Sequence, residues 1–272
     1  MSHELHHFAM GTWVFFLAYL TSVVGSFVGL TCARRAATAH TGSNRSRWTF
    51  MAALSIGGVA IWLMHFIGMM GFAVPGSSVR YGLGLTIFSV VLAVGATWFG
   101  LWLLDADVPW MRSVSPTSRL GIGGVIMGFA VAGMHYNGMA AVRIQGSLDQ
   151  GTTFVLYSIL IGVVASITAL WLSRNAEHWL VRIPAALVMG CAVVSLHYTG
   201  MAGIDVTVDP AAPSPAGMTV MSLLFPGFIV GVGVLAVPVL ALMATPTSEE
   251  LRREREVAAW VGAAADRDER QA

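Results

Sequence analysis

Gly58-Val59-Ala60-Ile61-Trp62-Leu63-Met64-His65-Phe66-Ile67-Gly68-Met69 is the stretch from which the fold can be read, because the chain writes it three times. Gly128, Ala130, His135, Tyr136, Gly138 and Met139 repeat its frame, and so do Gly190, Ala192, His197, Tyr198, Gly200 and Met201. The shared pattern is G-x-A-x-x-x-x-H-[FY]-x-G-M, and every copy lies in an apolar run. Internal repeats decide architecture before anything else does. An imidazole inside a membrane helix is costly and marks function by default.

Working outward, the 272-residue chain has a mean hydropathy of +0.72, with 56% hydrophobic and 11% charged residues. That is far from the balance of a soluble domain. A helical span needs about 20 apolar residues. Runs of that length fall at 9–33, 50–74, 82–104, 120–142, 154–173, 184–205 and 218–244, which predicts an all-α membrane protein of seven transmembrane helices. Met1-Ser2-His3-Glu4-Leu5-His6-His7 lacks the positive start of a cleaved signal, so the first span is expected to be retained. All 15 basic residues are arginines, and only Arg80 and Arg143 fall on one side of the predicted membrane. The positive-inside rule therefore predicts an outer N-terminus and a cytoplasmic C-terminus, in the inner membrane of the cell. The absence of lysine excludes a retinal Schiff base, and no basic run points to nucleic acid. Cys32 and Cys191 both lie within spans, where neither a disulfide nor a cysteine metal site is expected.

The odd-numbered spans repeat more weakly: Val24–Leu30 resembles Gly95–Leu101 and Val164–Leu170. The unit is thus a helix pair, used at 8–74, 82–142 and 154–205. Each unit holds two spans, so all three share an orientation and are related by an axis along the membrane normal. This predicts a pseudo-threefold six-helix bundle with the seventh span, 218–244, outside the symmetry. Residues 1–246 make the membrane domain and 247–272 a charged cytoplasmic tail that opens on a capping-box sequence, Thr247-Ser248-Glu249-Glu250.

Residues i and i+4 of a helix share a face about 6 Å apart. His65 with Met69, His135 with Met139 and His197 with Met201 therefore point alike, about 10–12 Å below the outer edge. Under threefold symmetry they predict a plane of three histidines with a plane of three methionines above it. Imidazole nitrogen with thioether sulfur suits copper; zinc and haem are less suited readings. The aromatic neighbours Tyr136 and Tyr198 are candidates for orienting the imidazoles through hydrogen bonds, which Phe66 cannot do. His6 and His7 are candidate extra ligands at the outer mouth. Met10, Met70, Met218 and Met221 are candidates for a thioether path, and Asp205 and Asp209 for attracting cations. The glycines are read as close-packing positions between helices. Each feature has a plainer reading: a membrane histidine can simply bond helices together, and methionine fills gaps. No serine–histidine–acid set, carboxylate pair or phosphate loop is seen, so no enzyme is expected.

These motifs resemble those of the MHYT family of bacterial integral membrane sensor domains, over about residues 8–205. That family is named for a Met-His-Tyr-Thr motif carried near the outer face by successive helix pairs. Here the copies read Met64-His65-Phe66-Ile67, Met134-His135-Tyr136-Asn137 and Leu196-His197-Tyr198-Thr199. The resemblance implies a copper site that senses O2, CO, NO or copper itself, and relatives in which such domains are joined to cyclic-di-GMP, kinase or DNA-binding domains. No such output domain is read here, so a separate signalling partner is expected besides membrane lipid. Copper handling, acquisition or delivery to a membrane metalloenzyme stays open beside sensing, as do haem-based chemistry and a purely structural role for the histidines.

Overall fold

The computed structural model describes residues 9–39, 41–106, 108–244, 253 and 256–260. Among the described residues, seven helices are long and apolar enough to cross a membrane: α1 Trp13–Ala37, α2 Gly42–Gly71, α3 Leu83–Asp105, α4 Pro116–Ala140, α5 Thr152–Asn175, α6 Trp179–Ala202 and α7 Val220–Ala244. The seven predicted spans are all present. The largest difference is that α2 begins eight residues before its apolar run, with Thr41 as N-cap accepting from the Asn44 amide. Pro116 at the start of α4 and the Ser115 cap show the same logic of satisfying first-turn donors.

Each of the first six helices packs against its chain neighbours, and α6 closes on α1, so the six form a ring in chain order. The helix-pair units are tied shut at one end by equivalent backbone hydrogen bonds. Ala9 N–H donates to Gly71 (3.0 Å), Gly82 N–H to Ala141 (2.8 Å) and Gly151 N–H to Gly203 (2.7 Å). The sequence had not suggested the short antiparallel pairs at that same end: β1 Arg80–Tyr81 with β2 Val142–Arg143, and β3 Gly146–Gln150 with β4 Ile204–Val208. Arg80 and Arg143, the two arginines set apart by the charge pattern, are cross-strand partners.

Glycines set the helix spacing. A Cβ on Gly128 would stand 2.7 Å from the Val163 nitrogen of α5, and one on Gly190 would meet Val23 of α1 at 2.6 Å. The first repeat departs from the sequence alignment at this point. Gly58 has only Val94 near it, at 3.7 Å, whereas Gly57 is pressed on Ala93 O (2.6 Å) and Val94 Cα (2.8 Å) of α3. The cause is a π-helical run, Leu54–Leu63, whose wider turns fit one more residue between the packing glycine and the histidine. Gly57, not Gly58, is thus the structural counterpart of Gly128. On the opposite flank of this segment, a Cβ on Gly25 of α1 would stand 2.8 Å from Ser55 O.

The chain divides into two compact units, Met1–Leu235 and Ala236–Ala272. In the first unit α7 leans on α2 alone among the long helices its glycines touch: Gly227 faces Trp62, and Gly231 faces Leu63 and Val59. Its apolar window is 11% buried against 72% for α2, the most covered of the spans. In the second unit α7 runs on to Ala244, and residues 256–260 are helical with Val257 and Trp260 exposed. The predicted capping start at Thr247 lies outside the described residues.

At the end of the ring remote from the histidines, equivalent positions of the three odd helices carry Arg34, Asp105 and Arg174. Arg174 pairs with Asp105 at 2.6 Å, and Arg34 reaches both Glu177 (2.7 Å) and the Arg174 carbonyl (3.2 Å). Half-burial makes such a pair worth more than a surface one and costly to leave open on one side. Asp105→Asn is expected to destabilise the bundle by about 1 kcal/mol. Thermal unfolding in detergent checks it: an unchanged midpoint would mean that the pair contributes nothing.

Candidate metal centre

His65, His135 and His197 are each 1% exposed, at matching depths on α2, α4 and α6. Their Nδ1 atoms form a near-equilateral triangle: 3.1 Å from His65 to His197, 3.2 Å from His135 to His65 and 3.4 Å from His197 to His135. The rings stand like propeller blades, with centroids 5.0–5.3 Å apart and planes at 83–88° to one another. The predicted three-histidine plane is present, and it is the one His/Cys/acid grouping suited to a metal among the described residues.

Three Nδ1 atoms at this separation pose a definite chemical problem. A neutral imidazole has one N–H and one lone pair. If the Nδ1 atoms are all unprotonated, three lone pairs face each other in an apolar interior, and only a cation or a proton relieves the repulsion. The centre of the triangle lies about 1.9 Å from each corner. Metal–nitrogen bonds to histidine run about 2.0–2.1 Å for zinc. A slight breathing of the triangle therefore gives planar three-nitrogen coordination, so the donor set fits a small metal ion.

Met69, Met139 and Met201 are buried at 1–3% exposure and belong to one apolar cluster with Met64, Phe66 and Tyr81. Four residues, about one turn, after each histidine, the three methionines lie on the C-terminal side of the histidines along their helices. Toward the other side, His − 4 is Ile61, Val131 or Val193. These residues, with Ile56, Met127 and Met189, enclose a cavity of about 20 Å³. A space this small holds at most about one water, and Ser166 carries the one side-chain hydroxyl of its otherwise apolar lining. The histidine plane is therefore plugged by hydrocarbon on that face.

The aromatic neighbours do not orient the imidazoles as a set. The Tyr136 hydroxyl hydrogen-bonds to the Ser158 hydroxyl of α5, which itself donates to Val155 O at 2.9 Å. At the equivalent place in α3, Ser89 accepts from the Trp62 indole (2.9 Å), since Phe66 has no hydroxyl to offer. In α1 that place is Ala18. Tyr198 stacks obliquely on Phe15 at 5.4 Å and stands edge-on to His197. His6 and His7 lie outside the described residues. Of the weaker candidates, Asp205 sits on β4 opposite Asp149, Asp209 accepts from the Ala211 amide in a local turn, and Met218 is engaged through its backbone with Tyr81.

Sequence reasoning missed Tyr81. Its side chain is 1% exposed in the methionine cluster, its backbone bonds Met218 in both directions, and its hydroxyl has no hydrogen-bond partner among the described residues. Burial pushes the phenol well above its ordinary value, so it stays neutral through the physiological range. Nothing in the sequence marks it beyond an aromatic at a helix start. Replacing an unpaired buried hydroxyl by hydrogen costs little and can stabilise. Tyr81→Phe is expected to keep or raise the thermal midpoint; a fall would mean that the phenol is hydrogen-bonded in the native protein.

The profile described as "Bacterial signalling protein N terminal repeat", MHYT, matches residues 58–116, 128–185 and 190–259. Each match opens on the glycine seven residues before a histidine. Among curated proteins the chain is 41% identical over 189 residues (67% of this chain, 26% of the relative) to the bifunctional diguanylate cyclase/cyclic di-GMP phosphodiesterase MucR of Pseudomonas aeruginosa. It is 26% identical over 250 residues (88% and 30%) to the cyclic di-GMP phosphodiesterase NbdA of the same organism. It is also 28% identical over 214 residues (76% and 26%) to the signaling protein YkoW of Bacillus subtilis. The chain spans between a quarter and a third of these relatives' lengths. No solved structure matches.

Proposed function

The chain belongs to the MHYT family of bacterial signalling proteins, and on that premise we propose that it is a multi-pass inner-membrane sensor whose three histidines hold copper. The observation that carries this reading is the buried triangle of Nδ1 atoms, spaced to take a small metal ion at its centre. Three nitrogens in a plane, with a thioether about one turn after each histidine, favour a soft, low-coordinate ion such as Cu(I) over zinc. In this reading His65, His135 and His197 bind the ion, and Met69, Met139 and Met201 guard its outward face as further ligands or as an apolar lining. The metal, when bound, supplies affinity for O2, CO or NO, or registers redox state or copper supply. The surrounding apolar residues keep bulk water out and hold the rings in place. Haem needs far more room than the triangle offers.

The charge pattern supports an outward-facing site and a cytoplasmic C-terminus. The 272 residues act as receiver rather than catalyst. By analogy with MucR and NbdA, the output is turnover of cyclic-di-GMP, performed by a catalytic module that these residues control. Copper delivery, the second reading, draws support from the same ligands, but the hydrocarbon plug beneath the histidines disfavours passage through the ring.

The test is metal content of the detergent-purified protein after Cu(I) loading, beside His65→Ala/His135→Ala/His197→Ala. About one copper per chain, lost in a triple variant that still folds, is the expected result. A wild-type protein that binds no copper under reducing or oxidising conditions would overturn the reading and leave the histidines as a hydrogen-bonded helix clamp.

A further inference from the structure

The second glycine of the repeat, three residues after each histidine, has a role that neither helix packing nor ligand access describes. A Cβ on Gly68 would lie 2.5 Å from His197 Nε2 and 2.9 Å from its Cδ2. One on Gly138 would lie 2.6 Å from His65 Nε2 and 3.2 Å from its Cδ2. One on Gly200 would lie 2.9 Å from His135 Cδ2, with His135 Nε2 nearer still. In each case the nearest atoms are the tip of an imidazole from another repeat. The partners run in one direction: the first repeat's histidine rests on the second repeat's glycine, the second's on the third's, and the third's on the first's.

We propose that Gly68, Gly138 and Gly200 are positioning residues that hold each imidazole tip-outward, so that Nδ1 and not Nε2 is the atom offered to the centre. The inference rests on the triangle being a ligand set. Each ring reaches from its own helix across to the neighbouring backbone, and Nε2 lies in the space that a side chain would fill. His65 and His135 accordingly have Nε2 buried with no hydrogen-bond partner among the described residues. Nε2 thus faces the neighbouring backbone, and Nδ1 is the ring nitrogen that an ion at the centre would meet. A methyl at the glycine would drive the tip back by several tenths of an ångström or more. Ligand distances in metal sites tolerate about 0.2 Å, so one nitrogen of the three would leave the plane.

The repeat thus supplies two parts that work at different stations: a histidine for the centre and a glycine for the histidine of the previous unit. The glycines at His − 7 differ, since Gly128 and Gly190 meet helix neighbours in α5 and α1 rather than any imidazole. Gly133, two residues before His135, has only Leu92 Cδ2 nearby, at 3.6 Å, and serves as a control on the same helix.

The experiment is a double-mutant cycle in full-length, detergent-purified protein. It is read by Cu(I) affinity against a competing chelator and by the thermal midpoint of the metal-free form. Gly138→Ala is expected to weaken Cu(I) binding about 10–100-fold, the scale seen when a ligand's support is removed, while Gly133→Ala leaves it unchanged. In a His65→Ala background, where the ring is gone, Gly138→Ala is expected to have no further effect on either readout. Gly200→Ala, which touches His135, should still act there. Equal effects of Gly138→Ala with and without the His65 ring would overturn the proposal and return the glycine to ordinary helix packing. If Gly138→Ala fails to fold, the same cycle is run with Gly200→Ala against His135→Ala. Coupling in the metal-free midpoint together with no copper binding by wild type would uphold the cradle and sink the copper reading alone.

Discussion

Three imidazole nitrogens brought within 3.1–3.4 Å of one another in hydrocarbon cannot all keep their lone pairs unsatisfied. The rest of the bundle is arranged to make that convergence unavoidable. The even helices carry the rings at one depth, the odd helices fill the gaps between them, and equivalent backbone bonds close each helix pair at the same end. Any state of the protein must put either a metal ion or a hydrogen carried on Nδ1 inside the triangle. A receptor built around such a demand is sensitive to whatever changes the size, charge or ligand count of the occupant.

Glycine distributes that demand through the bundle. One class of glycine brings backbones together, as Gly57, Gly128 and Gly190 do, and thereby sets how far the rings must reach. A second class, Gly68, Gly138 and Gly200, receives the ring tips. The π-helical run in α2 reconciles the two classes in the first repeat, where sequence spacing and packing geometry differ by one residue. Without the wider turns, either Gly57 would miss α3 or His65 would turn away from the axis.

Much of this was legible in the residues. The period of the motif revealed the three helix pairs, and the single orientation of the pairs led to symmetry and a shared histidine depth. What was hidden depends on contacts between segments far apart in the chain. The motif glycine was visible, but its partner is an imidazole of another repeat, about 60 to 130 positions away, and no local pattern encodes that pairing. Gly58 matched the alignment and is not the packing residue, because hydrogen-bond register is a tertiary outcome. Tyr136 was read as a partner for an imidazole, but Ser158 lies where it intercepts the hydroxyl. Tyr81 carries no motif at all; it is singled out only by being buried with an unanswered hydroxyl.

The one-way sequence of ring upon glycine also bears on ancestry. A cycle has no first member, so the centre does not register where the polypeptide starts or which linker joins which pair. The same one-way ring of contacts is the pattern of a cyclic homotrimer. A fused chain of three pairs can then let its copies diverge, as Phe66 has from Tyr136 and Tyr198, while the geometry they jointly maintain stays threefold. Covalent order is, for this centre, a matter of history rather than of mechanism.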